Sequence, residues 1–294
     1  MNSFKERLIK LIFSILAFSS LVFLIGIIIT LFKESYPFFS QFDVIGSFFG
    51  IQWYPTADPP EFGMFPLIFA SIAVTIGAMA VCVPIGIGTA LYIHEIAGPK
   101  QRALLKPVIE ILASIPSIVY GFFGMLIIAP FLQELLNIPT GLNGFTASLV
   151  LGVMAIPTVS SISEDALSFV PRSFREASLA IGATRWQTLI RVILPAAGSG
   201  ISTAIILGMS RAVGETMTVL MVAGGAAVIP KSIFDPLRPM TSTIAAEMGE
   251  AAIGSPHYHA LFAIGLILFF ITLIFNIIAE IVSRRFRLKL GLGR

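Results

Sequence analysis

Six long apolar stretches constrain this chain more than any other feature of its sequence. The chain has 294 residues, of which 56% are hydrophobic and only 12% are charged, whereas a soluble domain is about 25% charged. Because a helix rises about 1.5 Å per residue, roughly 20 apolar residues cross a hydrocarbon core of about 30 Å. The sequence therefore predicts an all-α membrane protein with six transmembrane helices. The predicted spans lie near residues 11–32, 65–93, 107–132, 143–162, 196–223 and 260–282.

The basic residues predict how these spans are oriented. Most lysines and arginines precede the first span, follow the last span, or lie between spans two and three or spans four and five. Only Lys33, Lys231 and Arg238 lie in the connections on the opposite side. Loops rich in Lys and Arg remain in the cytoplasm, so we predict that both termini are cytoplasmic. The same bias accounts for the net charge of +3, and no basic stripe with interleaved aromatic residues indicates nucleic-acid binding.

Two regions are predicted along the chain. Residues 1–64 are expected to form an N-terminal anchor helix and an external loop, and residues 65–294 a transmembrane domain. The first apolar stretch has a basic start but no small-residue cleavage site, so we interpret it as a retained anchor. Cys82 lies within a span and His257 and His259 lack further ligands nearby, so no metal site is predicted.

A polar segment at residues 173–195 joins spans four and five and is longer than a connection requires. It is predicted to form two short helices, because two residue pairs have the spacing of a capping box. These pairs are Ser173 with Glu176 and Thr184 with Gln187. Gly182 is expected to end the first helix in the left-handed conformation, and Pro195 to kink the second as it enters the membrane.

This segment resembles the EAA loop of ATP-binding-cassette importer permeases. The resemblance rests on Glu176-Ala177-Ser178 with Gly182, and on the sequence Ile-Leu-Pro at 193–195. It implies the type I importer permease fold, in which the first short helix is a cytoplasmic coupling helix seated in a cleft of the ATPase. The residues it implies for ATPase coupling are Arg175, Glu176, Ala177, Ser178, Gly182 and Thr184. The alternative is an amphipathic interfacial loop without a partner.

Arg211 and Glu215 are charged residues in the middle of the fifth apolar stretch. Four residues apart on a continuous helix, they are expected to share a face. A charge at the bilayer centre costs about 2.5–3.5 kcal/mol on insertion scales, so these side chains should face protein or water. One hypothesis is an anion filter, in which Arg211 attracts the substrate and Glu215 orients the guanidinium. The alternative is a buried ion pair that holds two helices together.

The third apolar stretch contains Ser114-Ile115-Pro116-Ser117. Pro116 has no N–H to donate to the carbonyl of Leu112, so one acceptor within the membrane is predicted to be free near two hydroxyl groups. This break could face the substrate pathway or be an ordinary kink satisfied by a neighbouring residue. His94 and Glu95, at the end of the second span, are predicted to form an interface pair.

A second resemblance concerns the substrate. Residues 214–219 (Gly-Glu-Thr-Met-Thr-Val) and 109–121 around Pro116 resemble the C-type permease subunits of phosphate importers, as do Phe234-Asp235-Pro236 and Thr241-Ser242. The similarity runs from about residue 60 to 282. We assign to the substrate pathway Arg211, Glu215, Thr216, Ser114 and Ser117.

These resemblances imply a permease subunit of an ATP-driven phosphate importer in a prokaryotic inner membrane. The implied partners are a paralogous A-type permease subunit, a dimeric ATP-binding-cassette ATPase and an external phosphate-binding protein. No G-x-x-x-x-G-K-[ST] string is present, so ATP and magnesium are expected on the ATPase and no cofactor in this chain. The alternatives are a sulfate or molybdate permease, an anion secondary transporter or channel, and an intramembrane enzyme. A secondary transporter predicts inverted repeats, which are not visible in the sequence. An intramembrane enzyme needs a nucleophile–base or metal set at membrane depth, and no histidine lies there.

Overall fold

The described part of the chain folds mostly into helices. The structure is a computed structural model that describes the backbone of residues 3–289 and the side chains of residues 6–281. In chain order the helices are α1 (Ser3–Gln41), α2 (Val44–Phe49), α3 (Phe65–Leu91), α4 (Pro99–Ser114), α5 (Ser117–Phe123), α6 (Ala129–Leu136), α7 (Gly144–Ser168), α8 (Arg172–Ala180), α9 (Arg185–Thr188), α10 (Leu194–Ala196), α11 (Gly198–Val213), α12 (Met217–Val222), α13 (Met240–Glu247) and α14 (Pro256–Lys289). Strands β1 (Trp53–Tyr54) and β2 (Glu61–Phe62) pair antiparallel. Three π-helical turns occupy Tyr92–Ile96, Gly124–Ile128 and Leu189–Ile193.

The prediction of a helical membrane protein is confirmed. Within the described residues, five helical segments are long and apolar enough to cross a membrane, and a bent pair makes a sixth if it counts as one span. The five are Glu6–Gln41, Phe65–Ile96, Ser117–Leu136, Gly144–Ser168 and Pro256–Ile281. The bent pair is Arg185–Ala196 with Gly198–Val213, whose axes differ by 68°. The bend follows Pro195, as predicted, because proline cannot donate to the preceding turn.

The predicted third span, 107–132, is wrong at its start. Pro116 ends the helix instead of kinking it: Ile115 is extended, with φ −63° and ψ 129°, and α5 begins at Ser117. The residue before a proline is disfavoured in helical conformation because the proline ring clashes with its backbone. The apolar span is therefore Ser117–Leu136, and α4 is a separate helix on which no residue is fully buried.

The predicted fifth span, 196–223, is not one helix. Helix α11 ends at Val213, and Gly214 to Thr216 form a non-helical break before the short α12. Glycine in a helix interior is unfavourable by about 1 kcal/mol relative to alanine. The carboxylate of Glu215 can in addition bond the backbone at the start of the next helix, which favours a break. The third and fifth apolar stretches are thus both interrupted.

Helix α7 lies at the centre of the bundle and packs against α3, α11 and α4. Small residues allow the close approach: a Cβ added to Gly152 would lie 2.9 Å from the carbonyl oxygen of Ala78 on α3. One added to Gly208 on α11 would lie 2.6 Å from Cγ2 of Val159. The interface between these helices therefore depends on glycine at both positions.

The two ends of the bundle differ, and we call them the loop end and the hairpin end. The loop end carries α8 and α9. At the hairpin end, β1 and β2 share a core with α1, α13 and α14, built from Phe38, Trp53, Phe62, Met240, Leu261 and neighbouring residues. Helix α13 packs on α14 and α12 at this end. By contrast, no residue in the apolar window of α1 is buried in the isolated chain.

Candidate functional site

Arg211 lies near the end of α11 and is half-buried. Its Nη1 atom donates a hydrogen bond of 3.1 Å to the hydroxyl of Thr158 on α7, the one hydrogen bond recorded for this side chain in the described part of the chain. A guanidinium has five N–H donors in a fixed planar fork. Most of the donors of Arg211 are therefore free to bind a ligand. Thr158 was not expected, because its place opposite Arg211 depends on how α7 packs on α11.

Glu215 does not pair with Arg211, which contradicts the expectation that they share a helix face and that Glu215 orients the guanidinium. Glu215 lies in the break after α11, and its Oε1 accepts a 3.1 Å hydrogen bond from the backbone N–H of Thr218. The carboxylate thus satisfies a free donor at the start of α12. A side chain that bonds nearby backbone competes with helix continuation, which explains why the helix stops before Glu215.

The two helix breaks lie against each other. The hydroxyl of Thr218 donates 2.9 Å to the carbonyl oxygen of Ser117. A Cβ added to Gly121 would lie 3.0 Å from Cα of Thr218, so α5 and α12 are in close contact. Ser114 and Thr216 instead bond their own backbone, to the carbonyls of Ile111 (2.7 Å) and Gly214 (3.3 Å). The structure therefore joins Ser117 to the region of Glu215, and leaves Ser114 outside that contact.

The carbonyl freed by Pro116 has found a partner. The hydroxyl of Tyr120 donates a 3.0 Å hydrogen bond to the carbonyl oxygen of Leu112. It replaces the backbone N–H donor that Pro116 lacks. The carbonyl at the break is therefore satisfied by a side chain of the same chain.

At the loop end, the first predicted capping box is wrong. Helix α8 begins at Arg172, one residue before Ser173, and no side chain caps it. Pro171 precedes it with φ −59° and ψ 138°, and its carbonyl accepts from the N–H of Phe174 at 3.1 Å. Because proline presets the backbone dihedral angle φ at a helix start, Pro171 decides the boundary and leaves Ser173 inside the first turn.

The other loop predictions are confirmed. Gly182 has φ +85°, the left-handed conformation that glycine adopts without strain. Thr184 and Gln187 form a capping box: the Thr184 hydroxyl accepts from the Gln187 N–H at 3.2 Å, and the Thr184 N–H donates to Gln187 Oε1 at 2.9 Å. The turn between α8 and α9 is therefore held on both sides.

The outer surface of this loop carries several exposed apolar side chains. Phe174, Ile181 and Trp186 are 47%, 87% and 64% exposed, and Glu176 and Ala177 are also exposed. Ser178 faces the other way: it is buried, and its hydroxyl lies 2.9 Å from the hydroxyl of Thr188. Ser178 therefore holds α8 against the following segment and does not contribute its side chain to the exposed surface.

The structure reveals a charge cluster behind α8 that the sequence did not predict. Glu164 on α7 is only 2% exposed, and it accepts hydrogen bonds from Arg102 and, at 2.6 Å, from Lys106 Nζ, both on α4. Ser168 donates to it at 3.1 Å. Lys106 also bonds Asp165 at 2.9 Å, and these hydrogen bonds raise the pKa of Lys106 above its usual value. The adjacent acids Glu164 and Asp165, at the end of an apolar stretch, were the available signal.

Arg175 on α8 connects to this cluster. Its guanidinium donates to the carboxylate of Glu95, in the π-helical turn after α3. His94 lies between the two acids, with Nε2 3.6 Å from Glu95 and Nδ1 3.8 Å from Glu164. Hence Arg175, assigned above to ATPase coupling, makes an intrachain contact, and the expected interface at His94 and Glu95 joins α3 to α8.

A second charge cluster lies at the hairpin end around Glu247, the last residue of α13. Glu247 accepts from Arg238 Nη1 at 2.6 Å, from Trp53 Nε1 at 3.0 Å and from His257 Nε2 at 2.9 Å. These donors come from three different segments, so Glu247 holds the hairpin, α13 and the start of α14 together. His257 is thus a structural residue.

Comparison with known proteins identifies the family. Residues 82–288 match the model for the "Binding-protein-dependent transport system inner membrane component" family. The chain belongs to this family. As an inner membrane component of such a system, it is a multi-pass membrane protein and a transport subunit, and its breaks, loop and exposed apolar helices belong to a transport permease.

Individual relatives extend the similarity over most of the chain. A probable ABC transporter permease protein of Bacillus subtilis, YqgH, is 41% identical over 235 residues, which are 80% of this chain and 76% of the relative. The phosphate transport system permease protein PstC of Mesorhizobium japonicum is 35% identical over 292 residues, covering 92% of this chain and 88% of PstC.

Solved structures support the fold. A bacterial alginate ABC transporter in complex with a periplasmic protein aligns with a TM-score of 0.69 at 15% identity, over 96% of this chain and 95% of the other. The MetNI methionine ABC transporter, in an inward-facing conformation, aligns with a TM-score of 0.61 at 21% identity, over 79% and 99%. This chain therefore has the type I importer permease fold.

Proposed function

We propose that this chain is the permease subunit of an ATP-driven phosphate importer. The observation that carries the proposal is its 35% identity to a phosphate transport system permease over 92% of the chain. The free guanidinium donors of Arg211 agree with a tetrahedral oxyanion as substrate, because a planar fork can bind two oxygens at once. Phosphate would contact Arg211 near the breaks at Ser117 and at Glu215–Thr216.

The energy for transport would come from a separate ATPase that binds the exposed surface of α8 and its turn. Phe174 and Ile181 supply apolar area, and Glu176 supplies a charge at the same surface. Arg175, Ser178, Gly182 and Thr184 would shape the loop from within. ATP and magnesium would be held by that ATPase, and its closure on ATP would draw the coupling helices together and open the pathway on the other side.

Three further partners complete the proposed importer. A paralogous A-type permease subunit would supply the other half of the pathway, since one chain carries only one pair of broken spans. An external phosphate-binding protein would deliver the substrate at the hairpin end. Membrane lipid would cover the exposed apolar helices, of which α1 is the most exposed.

Orientation is part of the proposal, with both termini and the loop end in the cytoplasm. The basic residues that predict it include some at the chain ends whose side chains lie outside the described part, Lys5 and those at 284–294.

Single cysteines at the exposed positions Asp58 and Lys231, in a Cys82→Ser background, should react with an impermeant maleimide on intact cells. A cysteine at the exposed Arg172 should react only after permeabilisation. The reverse pattern would overturn the orientation.

Reconstitution tests the function itself. The chain, its paralogous subunit and its ATPase would be placed in proteoliposomes with a phosphate-binding protein, and uptake of phosphate, sulfate and molybdate compared with and without ATP. ATP-dependent uptake of phosphate alone supports the proposal. Preference for sulfate or molybdate would identify a different oxyanion permease, and uptake without ATP would identify a secondary transporter or channel.

A further inference from the structure

The charge cluster at the loop end forms a continuous path between α8 and α4. Starting at α8, Arg175 bonds Glu95, and His94 lies between Glu95 and Glu164. Glu164 in turn bonds Arg102 and Lys106 of α4. These contacts join different elements of the fold, except that His94 and Glu95 are neighbours in the turn that follows α3.

Helix α4 is suited to act as a lever. It has 16 residues, so it is about 24 Å long, and no residue on it is fully buried. In its first half Arg102 and Lys106 bond Glu164, and after its last residue the chain breaks at Ile115 and Pro116 before α5. A displacement at the charged end would therefore be carried to the break that lies against Thr218.

The contact between α8 and this path is a specific one. Side-chain exposure is 12% for Glu95 and 41% for Arg175, so the acid is fixed inside the bundle and the cation reaches it from the surface helix. The backbone of α8 otherwise packs mainly on the π-helical turn 189–193 and on α9. The Arg175–Glu95 ion pair is thus the direct side-chain connection from α8 to the end of α3.

We propose that Glu95 and Glu164 are positioning residues that transmit movement of the coupling helix to α4 and so to the broken third span. The inference rests on the proposed ATP-driven function. Binding of the ATPase moves α8, Arg175 carries Glu95 with it, and the cations of α4 follow through Glu164. If the cluster only stabilised the fold, weakening it would reduce folding and assembly but not the amount of phosphate taken up per ATP hydrolysed.

The first test measures phosphate uptake per ATP hydrolysed in proteoliposomes of the complete importer. Glu95→Gln, which keeps the shape of the side chain, should leave ATPase co-purification and ATP hydrolysis unchanged while uptake per ATP falls about fivefold to tenfold, in the range of coupling between sites. The exchange of charges in Glu95→Arg with Arg175→Glu should restore it. Lys100→Gln, an exposed position on α4, is the matched control and should behave as wild type.

Three results would overturn the proposal. The first is an unchanged uptake per ATP in Glu95→Gln, and the second is a loss that only parallels lost assembly. The third is failure of the charge exchange to restore coupling in an assembled complex. These outcomes are distinct from failure of the proposed function, in which the wild-type complex itself would not import phosphate.

A second measurement reads the linkage without transport. Spin labels on Ser173→Cys of α8 and Leu104→Cys of α4, both exposed positions, would be introduced in a Cys82→Ser background and assembled with a cysteine-free ATPase. Pulsed electron paramagnetic resonance should give one narrow distance that is kept when ATP is added, and Glu95→Gln should broaden it. An equally narrow distance in the variant would contradict the linkage.

Discussion

Glu164 and Arg211 are both charged residues on apolar helices, and their surroundings are opposite. Glu164 is 2% exposed and has both carboxylate oxygens engaged, by two cations and a hydroxyl. Arg211 is half-buried and donates one hydrogen bond, to Thr158. A charge with saturated partners holds helices together, whereas a charge with free donors is available to a ligand. The comparison separates an architectural site from a candidate binding site.

The largest effect is expected from removing both cations of Glu164. In Arg102→Met with Lys106→Met, a buried carboxylate would lose its compensation, which costs about 3–5 kcal/mol of folding free energy. The thermal unfolding midpoint of the purified permease in detergent should fall by several degrees. Lys100→Met on the same helix is the control, with an expected change within about 0.5 kcal/mol. An unchanged midpoint in the double variant would show that Glu164 does not anchor α4.

The next effect concerns Arg211 and should appear in transport, not in stability. Arg211→Lys keeps the charge but not the planar fork, so phosphate uptake should fall roughly 10- to 150-fold, the equivalent of a charge-assisted hydrogen bond of about 1.5–3 kcal/mol. Arg211→Ala should be at least as severe. Uptake by proteoliposomes and the unfolding midpoint would be measured together.

Glu215 provides the control for that experiment. Since Glu215 bonds the N–H of Thr218 and not Arg211, Glu215→Gln keeps an acceptor and should transport nearly as wild type. For the same reason, Arg211→Ala with Glu215→Ala should stay inactive. Restored transport in the double variant would mean that the two residues act as an ion pair, and would remove the substrate role of Arg211.

A smaller effect is expected at Gly182, between α8 and α9. No atom lies within 4 Å of a Cβ added there, so the cost of Gly182→Val comes from its φ of +85° alone; a left-handed residue costs about 1–2 kcal/mol. The amount of ATPase that co-purifies should fall. Gly182→Asn tolerates this conformation better and should retain more. If equal amounts of ATPase co-purify with both variants and with the wild type, the conformation of this turn is not required for ATPase docking.

The smallest effect should come from Thr158, the partner of Arg211. Thr158→Val removes one hydrogen bond worth about 0.5–1.5 kcal/mol, so the KM for phosphate should rise roughly 2- to 10-fold with little change in stability. Thr158→Ser retains a hydroxyl and is the matched control. If Val and Ser variants transport alike, Thr158 does not orient the guanidinium.

Local sequence features were predicted well where the deciding atoms are close in the chain. The bend after Pro195, the left-handed Gly182 and the Thr184–Gln187 box all depend on interactions within one or two turns. Ser173 failed as a cap because Pro171, equally close, starts the helix earlier. The error at Glu215 has a similar origin, since its bond to Thr218 competes with a continuous helix.

The sequence by itself determined four of the apolar spans, the break at Pro116 and the capped turn between α8 and α9, whereas the interruption at Gly214 became visible only in the structure. It did so because membrane insertion and turn conformation respond to composition and to neighbours along the chain. Only the tertiary structure decided which charges are saturated and which are free. The bonds of Glu164 to Arg102 and Lys106 span 62 and 58 residues, and that of Arg175 to Glu95 spans 80. Packing of the helices brings these groups together, and no local pattern specifies the partner of a charge so far away.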